Sequence, residues 1–164
     1  MTPVCFYFDG FNLYHALVRF KDDKVKWLDL SALAKRLILP ASETITGIYY
    51  FSAYADWLPG PMSRHEEYVK ALKGTGVDCF MGHFKVKDRH CNSCGSRWHT
   101  HEEKETDVSI GIHLLNDAYK GQYEKAYLVT RDSDLMPAVK MVRAEFPAKE
   151  VVAVAPPSWV IQTT

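Results

Sequence analysis

Two apolar, β-prone runs of this chain stop abruptly on acids: Val4 to Phe8 meets Asp9, and Ala126 to Thr130 meets Arg131, Asp132, Ser133 and Asp134. In an open parallel sheet, strand ends of this kind line a shared crevice in which ligands bind. The rest of the chain alternates strand and helix patterns, which predicts an α/β fold. The expected form is an α/β sandwich around a mainly parallel sheet of about five strands.

The first run is followed by a helical stretch from Phe11 to Phe20, with Leu13, Ala16, Leu17 and Phe20 on one face. Asp29 is placed to cap a second helix, in which Leu30, Leu33, Ala34, Leu37 and Ile38 recur at three and four before Pro40 stops it. Thr44 to Tyr54 is rich in β-branched and aromatic residues and reads as a strand. Ser63 with Glu66 resembles a capping box opening a helix that ends near Gly74 or Gly76, and Val77 to Phe84 reads as the next strand. Thr106 is placed to cap a helix carrying Val108, Ile112, Leu115 and Tyr119, with Asp107 in its first turn. A helix from Leu135 to Phe146 and a strand from Lys149 to Ala155 complete the pattern.

With 164 residues the chain is read as a single domain, 1–164, carrying an insert at about 85–103. Twenty lysines and arginines balance 20 aspartates and glutamates, so any nucleic-acid binding needs a local patch rather than the global field. The start, MTPVCFYFDGFN, lacks the pattern of a signal peptide, and no apolar run reaches the roughly 18 residues of a membrane span. A cytoplasmic location without membrane attachment is the resulting expectation.

The acids carry the functional reading. Asp9 before Gly10 could form a turn, Asp132 or Asp134 could cap the following helix, and Asp107 could serve the helix dipole. Their coincidence at two strand ends and one helix start, with Asn12 three residues past Asp9, points instead to one pocket. Carboxylates crowded together repel one another, and divalent cations relieve that repulsion while supplying Lewis acidity for phosphate chemistry. Thr130 has two readings, a hydrogen bond to metal-bound water or satisfaction by backbone. Arg131 likewise has two, a phosphate contact or a salt bridge to a neighbouring acid.

The stretches FDGFNLY, EEKETDVSIGIHLLNDAY and AYLVTRDSDLMPAVKMVR, followed by VVAVAPP, resemble the NYN domain, a branch of the PIN-like nuclease superfamily, and within it the bacterial LabA-like group. The resemblance implies a three-layer α/β/α sandwich and an acidic pocket holding magnesium or manganese and used to cut RNA. Carried over position by position, Asp9, Asp107, Asp132 and Asp134 become metal ligands, directly or through water, and Asn12 a pocket residue that orients substrate or water. The implied activity is metal-dependent hydrolysis of RNA phosphodiester bonds, as an endoribonuclease leaving a 5′-phosphate. The alternative is a catalytically weak RNA-binding or protein-interaction module that retains the fold.

The insert HFKVKDRHCNSCGSRWHTHEEK holds four of the seven histidines and two of the four cysteines, and CNSCG has the turn of a zinc knuckle. A structural zinc needs four ligands. If Arg97 to His101 is the return strand of a hairpin, alternation puts His99 and His101 on one face, to complete a site with Cys91 and Cys94. His83, His90 and Cys79 stand in reserve, and spectator thiols or a redox or intersubunit pair are the other readings. Lys85, Lys87, Arg89 and Arg97, with Trp98 among them, combine cations and a stacking surface as single-stranded RNA binding would use, against a solvated loop that touches nothing. Tyr49, Tyr50, Phe51, Tyr54 and Trp57 read first as core packing. Cys5 and Cys79 read as buried apolar thiols.

Other enzyme classes lack their anchors. Phe11 stands where a haloacid-dehalogenase-like phosphatase needs a second Asp, and DGFNLYH lacks the glycines of a dinucleotide turn. Neither a GxSxG elbow nor a P-loop is present. Relatives continue past the PP segment into a further helix, whereas this sequence ends in SWVIQTT. A truncated form would leave Trp159, Val160 and Ile161 partly exposed and favour a homodimer.

Overall fold

A computed structural model describes residues 1–157 of the chain; Trp159, Val160 and Ile161 lie outside the described residues. The elements run β1 (Thr2–Asp9), α1 (Gly10–Val18), a 3-10 turn (Asp23–Trp27), α2 (Leu30–Leu37), β2 (Glu43–Ala53) and α3 (Pro59–Gly74). They continue with β3 (Asp78–His90), β4 (Arg97–Lys104), α4 (Thr106–Tyr119), β5 (Lys125–Val129), α5 (Met136–Glu145) and β6 (Glu150–Val154). The six strands form one sheet in the order β4-β3-β2-β1-β5-β6. Every neighbouring pair is parallel except the antiparallel β3 and β4.

β1 is central and covered on both faces, which is why its sequence is continuously apolar rather than alternating. Val4, Phe6 and Phe8 pack with Leu13 and Leu17 of α1, Leu30 and Ala34 of α2, and Val69 and Leu72 of α3. Cys5 and Tyr7, on the opposite face, pack with Ile110 and Leu114 of α4 and Val139 and Val142 of α5. Each fully buried aromatic or aliphatic side chain stabilises the fold by about 1.5–3 kcal/mol. Polar groups inside these cores are matched: the Tyr7 hydroxyl donates to Asp117 at 2.7 Å, and Glu43 accepts from the Leu39 N–H at 2.8 Å and from Lys125 at 2.9 Å.

Several local expectations are corrected. The sheet has six strands rather than five, because β3 continues through His90 and returns as β4. Residues 85–103 are thus mostly a two-stranded ribbon, closed by a turn at 91–96. β2 pairs with β3 only as far as Gly82, so beyond that point the ribbon extends past the rest of the sheet. Helix α3 opens at Pro59, not at Ser63, since a proline is compatible with the first helical turn, where its missing N–H costs nothing. Asp29 caps α2 as expected, accepting from the Ala32 N–H at 3.0 Å. Thr106 does not cap α4. Glu105 holds the cap position with a left-handed φ of 76° and makes no side-chain cap bond, while the Thr106 hydroxyl donates to Glu103. Neither Asp132 nor Asp134 caps α5 through its side chain. Among the described residues no helix is long and apolar enough to cross a membrane.

Replacing Tyr7 by Phe keeps the ring packing and strands the buried Asp117 acceptor. The expected loss is about 1–3 kcal/mol, read as a lower denaturant midpoint at unchanged slope. Unchanged stability would show that the Tyr7 hydroxyl bond contributes nothing net.

Candidate acidic active site

The site forms at the C-terminal ends of β1 and β5, where the chain leaves the sheet in opposite directions. Phe8 pairs with Val129, which sets Thr130 beside Asp9. Asp9 is 4% exposed, and both its carboxylate oxygens are engaged. One accepts the Asn12 N–H at 2.9 Å, capping α1, and the other accepts the Thr130 hydroxyl at 2.7 Å. The Thr130 oxygen in turn accepts the Asp132 N–H at 3.0 Å, and the Asn12 side-chain Oδ1 accepts the Arg131 N–H at 3.1 Å. An Asp132 oxygen then accepts the Asp134 N–H at 2.9 Å, folding the loop before α5 back on itself. Gly10 lets α1 begin this near β2, since a Cβ there would stand 2.7 Å from the Phe51 carbonyl oxygen.

Asp107 arrives from the other side of β1, in the first turn of α4. The β4–α4 junction crosses β3 at Gly82, where a Cβ would stand 2.6 Å from the Lys104 carbonyl oxygen. That close approach brings a further acid to the site, Glu103, which the sequence pattern assigns to the insert. The signal was present in alternation: Glu103 pairs with Phe84 and so faces the same side of the ribbon as His101, opposite to Glu102.

The carboxyl groups sense one another. Burial raises the pKa of Asp9, with the Asn12 and Thr130 hydrogen bonds opposing and the charge of Asp132 reinforcing the rise. Asp107 is raised by partial desolvation and by the charges of Asp132, Asp9 and Asp134. Glu103 is pushed up to about 7 by burial, against its Thr106 hydrogen bond and with Asp9 and Asp107 adding to the rise. These effects act across the pocket, whereas direct coordination of magnesium requires oxygens about 2 Å from the ion. Among the described residues, no group of three or more His, Cys, Asp or Glu side chains is arranged to hold a metal ion. The donor set is nonetheless one of hard oxygens whose charges oppose each other. It suits a cation that takes one or two carboxylates and keeps several waters.

Asn12 binds backbone, tying α1 to the β5–α5 loop, so its side chain acts on the loop. Thr130 bonds the Asp9 carboxylate, and the Arg131 guanidinium reaches the Pro156 carbonyl at 3.4 Å. The set Cys91, Cys94, His99 and His101 is not gathered. His99 pairs with Asp88 at 2.7 Å, and the His101 ring stacks on Trp57 at 3.6 Å, several residues back from the turn that bears the cysteines. In that turn the Cys94 thiol lies 3.1 Å from the Ser96 hydroxyl, and bonds from Ser96 and Cys91 lower its pKa to about 7. Of the predicted basic residues, Lys85, Lys87 and Arg89 share one ribbon face with Trp98 and Lys104, whereas Arg97 pairs with His90 on the other. Glu102 lies among them, 3.0 Å from Lys87, 2.7 Å from Arg89 and 3.2 Å from Lys104.

A model of the NYN domain matches residues 3–160, and so takes in every one of these acids. The chain belongs to the NYN domain family. An NYN domain suggests a PIN-like nuclease fold, and such domains are in general hydrolases. Among curated proteins, the chain is similar to the 6-hydroxy-3-succinoylpyridine 3-monooxygenase HspA of Pseudomonas putida (strain DSM 28022 / S16). The two are 27% identical over 175 residues, covering 84% of this chain and 54% of that protein. The chain therefore spans about half the length of that relative. No solved structure gives a significant match.

Because the folded pKa of Glu103 is raised from 4.5 to about 7, the unfolded chain releases this proton first as pH rises. The cation-free protein should lose stability as pH climbs through that window, and Glu103→Gln should flatten the loss. Melting temperatures across the range, taken in chelator, test this; identical slopes for both proteins would refute it. Cys94 should also alkylate faster at neutral pH than Cys79, whose thiol burial pushes up to about 11. Peptide mapping after brief iodoacetamide treatment reads the order, and equal labelling of the two would contradict it.

Proposed function

We propose that this NYN domain hydrolyses RNA phosphodiester bonds with magnesium or manganese held by the acidic pocket, on a three-layer α/β/α sandwich of the PIN-like kind. The observation that carries the reading is the gathering of acids from β1, β4, α4 and the β5–α5 loop around the hydrogen-bonded Asp9 and Thr130, where burial first and neighbouring carboxylates second raise Asp9, Asp107 and Glu103. A fold that brings so many carboxyls to one crevice, at a cost to their ionisation, is suited to binding positive charge. In this reading Asp107, Asp132 and Asp134 hold the cation, directly or through water, with Asp9 as the buried anchor. When bound, such a cation supplies Lewis acidity to a scissile phosphate and eases deprotonation of water.

The chain's own residues do the positioning. Asp9 is held by two hydrogen bonds, so its charge is presented from one fixed place. Thr130 and Asn12 hold the backbone of residues 131 and 132, which aims Asp132 at the crevice. Glu103, whose carboxyl burial pushes up to about 7 in the cation-free protein, is in this reading the group that would exchange a proton with water in the pocket. Lys85, Lys87, Arg89 and Lys104 form a basic ribbon face that would attract phosphates, weakened by the single carboxylate of Glu102. Cys91 and Cys94 supply two thiols for a structural zinc, and its other ligands would have to come from groups other than His99 and His101 in their present positions.

The rival reading is a nucleic-acid-binding or protein-interaction module with little turnover. Its observation is the spread of the acids, no three of which converge on a direct ion site among the described residues.

The test is cleavage of mixed single-stranded and structured RNAs in magnesium, in manganese and in chelator. Asp132→Asn should lower the rate by at least about a hundredfold, the scale of removing one group that stabilises transition-state charge. Its melting temperature should stay near that of the parent. Full activity in the variant, or cleavage insensitive to chelator, would sink the proposal. Metal-independent binding without cleavage would favour the module.

A further inference from the structure

Beside the acidic pocket, rings from four separate segments form an unbroken row. His15 meets Phe11 edge-on at 4.4 Å, Phe11 meets Phe84 at 6.0 Å, Phe84 meets Trp57 at 4.8 Å, and Trp57 lies flat on His101 at 3.6 Å with 9° between planes. These residues come from α1, the ribbon strands β3 and β4, and the loop after β2. None of the five is fully buried, and Phe11 is 40% exposed. The aromatic cores of the molecule, by contrast, are closed: Phe6, Phe8, Phe51 and Tyr123 are each inaccessible.

The middle of the row adjoins the pocket. Phe11 follows Asp9 by two residues, and Phe84 is the cross-strand partner of Glu103. Exposed rings beside a pocket that would hold a cation suit a ligand that is flat and carries phosphate. Unpaired nucleotides have that character: each base offers a π-face to an aromatic ring, and the linking phosphates run alongside. The base pairs of a duplex are already stacked and keep their faces from such rings. The imidazoles of His15 and His101 and the guanidinium of Arg97, on the same ribbon face as His101, supply donors along the row.

We propose that Phe11, Phe84 and Trp57 form a base-stacking platform that selects single-stranded nucleic acid and delivers an adjacent phosphate to the acidic pocket. This rests on the hydrolytic reading for the role of the pocket, though the platform itself is a binding surface and is tested as one. The side chain that decides the matter is Phe11, the most open ring of the three and the nearest in sequence to Asp9.

The experiment is equilibrium binding of a fluorescein-labelled, adenosine-rich RNA strand, alone and annealed to its complement. It is made in magnesium on the full chain carrying Asp132→Asn. On the hydrolytic reading cleavage in that background is slower by at least about a hundredfold, and a gel of the recovered strand verifies that it is intact, so failure of the hydrolytic reading leaves the binding result standing. Adding Phe11→Ala should weaken single-strand binding by about fivefold to a hundredfold and leave duplex binding unchanged. Phe11→Tyr keeps the flat ring and should restore the affinity, which a merely structural role for an exposed side chain would not require. Phe84→Leu, which keeps apolar volume but loses the ring, should also weaken the single strand. Equal affinity for strand and duplex would overturn the platform, as would unchanged binding in Phe11→Ala. Failure to bind the strand, accompanied by self-association that Phe11→Ala abolishes, would assign the rings to contact between copies and equally overturn it.

Discussion

The Asp9 carboxylate is the joint on which the arrangement turns. It is buried at the end of the central strand, and burying a charge is costly unless every oxygen is matched. The Asn12 N–H and the Thr130 hydroxyl provide the match, and each belongs to a different element. The same group therefore caps α1, fixes the end of β5, and indirectly sets the loop that carries Asp132 and Asp134. A change that loosened this joint would alter the helix start and the pocket together.

Around that joint the fold separates two tasks. The cores on the two faces of the sheet provide rigidity, through fully buried side chains such as Phe6, Tyr7 and Leu114. The C-terminal edge of the sheet collects what the cores exclude: acids on one side, exposed rings beside them, and a long ribbon that leaves the sheet at Gly82. Close backbone approach at Gly10 and Gly82 links the tasks, because the acids can meet only if α1 and the β4–α4 junction sit almost in contact with neighbouring strands.

Much of this was legible in the chain. The abrupt ends of two apolar runs located Asp9 and Asp132, the cap at Asp29 was placed correctly, and helical spacing put Asp107 in a first turn. Ser63 misled because a capping signature is local and says nothing of a proline upstream that can start the helix sooner. Thr106 misled for a related reason: its hydroxyl found a carboxylate across the turn, and Glu105 took the cap position in a left-handed conformation. The four proposed zinc ligands are not brought together among the described residues. Alternation correctly placed His99 and His101 on a common face, and each has a partner away from the cysteine turn.

What the sequence alone determined is what depends on neighbours in the chain: the α/β pattern, the parallel central strand, and acids at the positions where strands end. Cross-strand register and the crossing of helices decided the rest. Glu103 joined the pocket, Asn12 and Thr130 turned inward to hold backbone and carboxylate, and rings from four separate segments met in a row. Such outcomes hinge on which atoms from remote segments come within a few ångströms, a quantity that propensity and periodicity do not encode. A strand pattern specifies which face a residue takes, and only packing specifies what lies opposite that face.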